Sequence, residues 1–77
     1  MNSDQFLVKL QECLMDDSKN FGPSTNLEDI DGWDSIGRLA VAVMINTELG
    51  ISITAPQLRG CSIVNDIIEL VKDKLEV

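Results

Sequence analysis

The chain has 77 residues, 44% of them hydrophobic and 25% charged, and its 13 acidic and 6 basic side chains give a net charge of −7. This length predicts one small domain covering residues 1–77, and the hydrophobic fraction is too high for a disordered chain. Because an acidic surface repels phosphate backbones, nucleic acid is disfavoured as a partner and basic protein surfaces are favoured. No apolar run approaches the ~18 residues of a membrane span and no signal peptide is recognisable, so we expect a cytoplasmic protein without membrane insertion.

The first predicted helix covers residues 4–15, with Ser3 as its N-cap. Its apolar side chains recur at helical spacing: Phe6, Leu7, Leu10, Cys13 and Leu14. The next segment, DDSKNFGPSTNLEDIDGWD, is rich in Asp, Asn, Ser, Gly and Pro and is typical of a long loop. A structureless loop of this length is unusual in a small domain, so we expect Phe21, Leu27 and Ile30 to hold it against the core.

The second predicted helix runs from Ser35 to about Leu49 and ends at Gly50. It is apolar nearly all round, so it must bury two faces. One face, which consists of Leu39, Val43 and Ala42, is expected to pack against the first and last helices. The opposite face is expected to stay exposed until a partner covers it: Ile36, Ala40, Met44 and Val41. The alternative is that the long loop folds over this second face and buries it.

A short helical turn and a last helix complete the predicted fold. Thr54 caps the turn, Pro56 lies within it and Gly60 ends it. Ser62 is predicted to cap the last helix, whose apolar stripe consists of Val64, Ile67, Ile68, Val71 and Leu75. No strand alternation persists, so the chain is predicted to be all-α: a small four-helix bundle with three main helices, one short helix and a long first loop.

Few side chains are available for catalysis. The chain has no histidine, which removes the commonest general base and metal ligand. The spacing around Ser35 is G-x-x-S-x-G, which is not that of a nucleophile elbow, and no triad can form. Cys13 and Cys61 make neither a zinc site nor a disulfide framework, and they are predicted to be buried free thiols. We therefore expect no catalytic residue, no metal site and a protein that is not an enzyme.

Ser35, at the start of the second helix, has two interpretations. Asp-Ser before an apolar run is a common N-cap signature, and the residue types alone favour this simple role. A helix N-terminus also stabilises a phosphate group, through its unpaired amides and its partial positive charge. If Asp34 caps the helix by accepting the amide of Ile36 or Gly37, the Ser35 hydroxyl is left free for attachment.

The order of these parts resembles the acyl carrier protein family, which includes the related peptidyl carrier domains, over almost the whole chain. The most specific element is Asp34-Ser35-Ile36, which is similar to the family's Asp-Ser-Leu motif with Ile in place of Leu. Glu48-Leu49-Gly50-Ile51 resembles the end of the family's second helix, with Leu where Phe is common. The resemblance implies a bundle of acyl-carrier type.

The resemblance also implies a function for Ser35. It would be esterified to 4′-phosphopantetheine, which a separate phosphopantetheinyl transferase takes from coenzyme A. The terminal thiol of this arm would then hold an acyl group as a thioester and present it to partner enzymes. In such carriers the residue matching Asp34 is associated with the transferase reaction through the magnesium ion, so Asp34 is expected to serve both as cap and in modification.

The second helix departs from the pattern of fatty-acid carriers, in which it is strongly acidic. Here Glu48 is its one acid after the leading Asp34, and Arg38 adds a positive charge near the arm. We therefore expect partner enzymes to bind by apolar contact more than by charge. The predicted partner-binding residues are Trp33, Ile36, Arg38, Ala40 and Met44.

The partners that the resemblance implies are the transferase, an acyl- or aminoacyl-loading ligase or transferase, and downstream synthase enzymes. The Trp-Asp-Ser form and the less acidic helix favour a specialised pathway, such as polyketide, secondary-metabolite or modified-lipid synthesis. An aminoacyl or peptidyl carrier of a nonribosomal-peptide-type system is the alternative, and an unmodified helical adaptor is a third hypothesis. We expect a monomer.

Overall fold

A computed structural model describes residues 1–75, and residues 76 and 77, the end of the predicted domain, lie outside the described part of the chain. The four α-helices are α1 (Ser3–Cys13), α2 (Ser35–Leu49), α3 (Ala55–Arg59) and α4 (Val64–Val71). Single 3-10 turns lie at Leu27–Asp29 and Lys72–Lys74. Residues 1–75 contain no β-strand, and an isolated bridge joins Asn26 to Ile63. The all-α prediction is confirmed.

Helix α1 begins one residue before the prediction, and its N-cap is Asn2 instead of Ser3. The side-chain oxygen of Asn2 accepts the Gln5 amide at 2.8 Å, and the Gln5 side chain accepts the Asn2 amide at 3.0 Å. Asn2 is the N-cap because Gln5, three residues later, returns its hydrogen bond, and the two bonds together form a capping box.

Helix α1 also ends before the predicted residue 15. Met15 adopts a left-handed conformation, with φ of 55°. The amides of Met15 and Asp16 donate to the carbonyls of Glu12 and Gln11, at 3.2 and 3.1 Å. These two bonds close a Schellman motif, which satisfies the last carbonyls of the helix and turns the chain into the long loop.

The long loop is held to the core as predicted, because Leu27 and Ile30 are buried and Phe21 is half-buried against the core. The core of the described chain consists of Phe6, Leu10, Leu14, Leu27, Ile30, Val41, Ile45, Leu58, Val64, Ile67, Val71 and Leu75. All four helices and the loop contribute to this core, which is aliphatic except for Phe6. Burial of this apolar surface is the main source of stability for a chain of this size.

The loop is also hydrogen-bonded to the start of α4. The amides of Val64 and Asn65 donate to the carbonyls of Thr25 and Pro23, at 3.0 and 2.8 Å. The Leu27 amide donates back to the carbonyl of Ser62 at 3.0 Å. The first turn of α4 therefore obtains part of its hydrogen bonding from a segment about 40 residues earlier in the chain.

The caps of α3 and α4 differ in their agreement with the prediction. Thr54 caps α3 as predicted, in a capping box with Gln57. Ser62 does not cap α4: Ile63 occupies the N-cap position and no side-chain bond comes from it. Instead, the carboxylate of Asp66 accepts the amides of Ser62 and Ile63 at 2.8 and 3.1 Å. These two bonds lower the pKa of Asp66, because they stabilise its charged form.

The predicted apolar stripe of α4 is confirmed. Val64, Ile67 and Val71 are fully buried and Ile68 is half-buried, while Leu75 is buried beyond the 3-10 turn that extends the helix. Within residues 1–75, no helix combines the length and the apolar character that crossing a bilayer requires.

The two cysteines are free thiols, as predicted, but both are half-buried instead of fully buried. Burial raises the pKa of the Cys13 and Cys61 thiols, with smaller contributions from the nearby carboxylates of Glu12 and Asp66. Both side chains therefore favour the less reactive, protonated form.

The rotation of α2 about its axis differs from the prediction. Val41, predicted on the exposed face, is fully buried. Leu39 and Val43, predicted to pack inside, are 63% and 57% exposed. Three other residues predicted on the two faces are half-buried: Ala40, Ala42 and Met44. Ile36, predicted on the exposed face, is exposed. The long loop does not cover Ile36, which is 79% exposed.

Close backbone packing accounts for this rotation. A β-carbon added at Gly37 would overlap the carbonyl oxygen of Gly32, and one added at Gly32 would overlap the carbonyl oxygen of Leu14. The first turn of α2 therefore rests directly on the loop backbone, which rests on the end of α1. Since Gly37 must face inward, Val41 and Ile45, four and eight residues later, face inward with it.

Candidate functional site

Ser35 is the first residue of α2 and is exposed. The preceding residue, Asp34, is the N-cap in an extended conformation, and its Oδ1 accepts the Gly37 amide at 2.8 Å. Of the two donors predicted for this cap, the structure selects Gly37. Within residues 1–75, no hydrogen bond is made by the Ser35 hydroxyl. Capping and hydroxyl display are thus divided between two adjacent residues.

Backbone contacts between the loop and the first turn of α2 fix the position of Ser35. Gly37 lies on the backbone of Gly32, and the Gly32 carbonyl accepts the Asp34 amide at 3.0 Å. The Trp33 amide donates to the Ile30 carbonyl at 3.0 Å, and Ile30 is part of the core. The backbone at the start of α2 is therefore held in place, while the Ser35 side chain is exposed.

Trp33 lies beside the start of α2 and is half-buried against the core. The guanidinium carbon of Arg38 lies 5.8 Å from the centroid of the Trp33 ring. This distance is within the range of a cation–π interaction. Two of the predicted partner-binding residues therefore contact each other next to Ser35.

The exposed face of α2 carries an apolar stripe, formed by Ile36, Leu39 and Val43, which are 79%, 63% and 57% exposed. Their spacing of three and four residues places them on one face. Of the predicted partner-binding residues only Ile36 is exposed, while Trp33, Arg38, Ala40 and Met44 are half-buried. Leu39 and Val43 were not predicted to be exposed, because hydropathy does not show which face of a helix is buried when the helix is apolar nearly all round.

Two shallow grooves flank this part of α2. One, of about 340 Å³, lies between the end of α1 and the start of α2 and is lined by residues that include Met15, Gly32, Ile36 and Ala40. The other, of about 250 Å³, lies on the opposite side of the helix and is lined by Ala42, Val43, Asn46, Ser52 and Ile53. The first groove is also lined by Cys13, Asp31 and Asp34, whereas no ionisable side chain of residues 1–75 lines the second.

A depression of about 470 Å³ adjoins the first groove and is lined by four acidic side chains of the loop: Asp16, Asp17, Asp29 and Asp31. Across residues 1–75, no three side chains of His, Cys, Asp or Glu are grouped so that they could hold a metal ion. Ser35 presents an exposed hydroxyl at the positive end of a helix, where an anionic group is stabilised.

Comparison with known proteins supports the same reading of the chain. A family model described as a phosphopantetheine attachment site matches residues 4–71, which include all four helices except Ser3, the first residue of α1. No curated protein and no solved structure matches the chain. The match covers most of the chain, which therefore belongs to the phosphopantetheine-attachment family, whose members carry 4′-phosphopantetheine covalently.

Proposed function

We propose that the chain is an acyl carrier protein that carries its 4′-phosphopantetheine arm on Ser35 and presents acyl thioesters to partner enzymes. The family match supports a phosphopantetheine carrier. The observation that supports Ser35 as the attachment residue is its exposed hydroxyl, which makes no hydrogen bond within residues 1–75 and follows directly on the cap. When attached, the arm supplies a thiol that holds cargo as a reactive thioester, so the carrier itself needs no active site.

The direct test is modification of the purified chain. Incubation with coenzyme A, Mg²⁺ and a broad-range phosphopantetheinyl transferase should raise the intact mass by one phosphopantetheine group. Fragmentation should place the added mass on the peptide that contains Ser35. An unchanged mass in the presence of a transferase shown to be active on another carrier would contradict the proposal and favour an unmodified adaptor.

Asp34 has two proposed roles, which two substitutions separate. One carboxylate oxygen caps α2, and the other makes no hydrogen bond within residues 1–75, which leaves it able to bind the Mg²⁺ of the transferase reaction. Asp34→Ala removes both, so it should cost about 0.5–2 kcal/mol of stability and slow modification. Asp34→Asn keeps a capping oxygen and should leave the unfolding temperature nearly unchanged while slowing modification by about 10–100-fold.

The measurements for Asp34 are thermal unfolding by circular dichroism and the initial rate of the mass increase. Equal rates for Asp34→Asn and the wild type, with the expected loss of stability in Asp34→Ala, would show that Asp34 is a cap alone. The proposed part of Asp34 in modification would then be wrong, although Ser35 would keep its role.

Partner enzymes are proposed to contact the apolar stripe, which begins next to Ser35. The observation in favour is continuity: Ile36 follows the attachment residue, and Leu39 and Val43 extend its face along α2. Exposed apolar groups that adjoin a functional residue are typical of interaction surfaces. In α2, Glu48 is the one acidic side chain, so apolar contact and not charge is expected to provide the affinity.

Leu39→Gln should raise the KM of the transferase for the chain by about tenfold, because burial of a leucine at an interface contributes about 1.5 kcal/mol or more. Val8→Gln is the matched control, since Val8 is 55% exposed on α1 and lies outside the stripe. Its KM should stay within about twofold. Raising salt tenfold should change the wild-type KM only modestly. A steep salt dependence, or equal effects of the two variants, would count against apolar docking.

The cargo and pathway belong to the proposal as well. The weakly acidic α2 favours a specialised polyketide, secondary-metabolite or modified-lipid pathway, and it suits an aminoacyl or peptidyl carrier equally. The modified chain can be offered in turn to acyltransferases and to adenylating enzymes, and the mass of the loaded product then separates the two. We further propose that the carrier acts as a monomer in the cytoplasm.

A further inference from the structure

Arg38 is placed to reach the attachment residue. It lies three residues after Ser35 in α2, so the two side chains are neighbours on the helix surface. Side chains in a helix lean towards its N-terminus, and the 5.8 Å contact between Arg38 and Trp33 shows that this guanidinium extends back across the first turn. The ring of Trp33 is held in place by the core, so it keeps the guanidinium close to the start of the helix.

Arg38 forms no ion pair within the described chain. Ion pairs join Lys9 to Glu48 and Lys72 to Glu69 in residues 1–75, but no carboxylate there is within 4.0 Å of Arg38. From residue 31 to residue 45, Arg38 is the one cation in a sequence that also contains Asp31 and Asp34. A phosphodiester on Ser35 would add a further negative charge to this acidic surrounding.

We propose that Arg38 binds the phosphodiester that joins Ser35 to the pantetheine arm, with Trp33 acting as the platform that holds the guanidinium in reach. This inference rests on the proposed attachment at Ser35 and identifies a positioning residue for the arm. Arginine suits the role because its planar fork donates two parallel hydrogen bonds to phosphate and its face stacks on an aromatic ring. Paired in this way, Arg38 offsets the repulsion between the phosphodiester and the Asp34 carboxylate, and it orders the part of the arm next to Ser35.

The experiment uses the isotopically labelled chain before and after modification, with intact mass as proof that the arm is attached. In low salt, the Nε–Hε signal of Arg38 should shift on modification, whereas that of Arg59, an exposed arginine at the end of α3, should not. The phosphorus resonance of the modified wild type should differ from that of modified Arg38→Gln. Arg38→Lys should give an intermediate position, because an ammonium group supplies charge without the fork.

Two further measurements test the nature of the contact. Salt at 1 M, where the screening length is about 3 Å, should move the wild-type phosphorus resonance towards that of Arg38→Gln. Arg59→Gln is the matched control and should leave the resonance unchanged. Thermal unfolding of the unmodified variants checks that Arg38→Gln keeps the fold. A change in its phosphorus resonance can then be attributed to the loss of the guanidinium.

The outcomes separate the inference from the proposed function. If the mass rises but the Arg38 signal does not move and Arg38→Gln has the wild-type phosphorus resonance, then Arg38 does not bind the phosphodiester, while the carrier function stands. If the mass does not rise with an active transferase, both the carrier proposal and this inference are overturned.

Discussion

The Gly37→Ala variant is expected to unfold about 10–15 °C below the wild-type chain. The added methyl group would overlap the Gly32 carbonyl oxygen, which is backbone and cannot rotate away. Forcing a group into such a contact costs about 3 kcal/mol, the upper end of the range for overpacking. Alanine regains about 1 kcal/mol through its higher helix propensity, which leaves a net loss of about 2 kcal/mol. Thermal unfolding followed by circular dichroism measures this difference.

Gly22→Ala is the matched control for this prediction. Gly22 lies in the long loop, where an added β-carbon meets no atom within 4 Å. The substitution should be neutral or should stabilise the chain by a few tenths of a kcal/mol, through reduced freedom of the unfolded state. Gly32→Ala should resemble Gly37→Ala, because its methyl group would overlap the Leu14 carbonyl. Equal stability of Gly37→Ala and Gly22→Ala would show that α2 does not rest on the loop backbone.

Ser35→Ala should abolish phosphopantetheinylation completely, because the attached oxygen is removed. The loss should occur without loss of structure. The Ser35 hydroxyl makes no hydrogen bond within residues 1–75, and the cap of α2 is supplied by Asp34. The unfolding free energy of the variant should therefore stay within about 0.5 kcal/mol of the wild type. Intact mass after exposure to transferase and coenzyme A measures the first effect, and thermal unfolding the second.

Ser24→Ala serves as the control for this substitution, since Ser24 is another exposed serine and lies in the long loop. It should accept one arm, as the wild type does. Any remaining mass increase in Ser35→Ala would mean that the arm is attached elsewhere. An unfolded Ser35→Ala would instead show that the hydroxyl has a structural role that the geometry of α2 does not indicate.

The sequence predicted best those features that single residues determine locally. The bounds of α2 agree at both ends, because an aspartate cap at its start and a glycine with φ of 72° at its end are strong local signals. The Thr54 cap of α3 was recognised for the same reason. The exposed Ser35 follows from this local chemistry, since Asp34 occupies the cap.

Features that depend on contacts between distant segments were not predictable. The rotation of α2 is determined by Gly37 resting on Gly32, and a nearly uniform apolar sequence cannot show which face rests there. The same holds for α4, where Ser62 is the obvious local cap. The amides of Val64 and Asn65 donate to carbonyls of the loop, and the amides just before the helix donate to Asp66, so a side-chain cap from Ser62 is not needed.

The hydrogen bonds between the loop and α4 restrict the length of the loop. The carbonyls of Pro23 and Thr25 must remain opposite the amides of Asn65 and Val64, so this part of the loop between α1 and α2 has a fixed register against α4, as a strand in a sheet does. Surface loops ordinarily tolerate insertions and deletions. Here an inserted residue between Pro23 and Leu27 would break the register and leave amides of the last helix unsatisfied. Length changes are therefore tolerated better in residues 17–20, before this register begins.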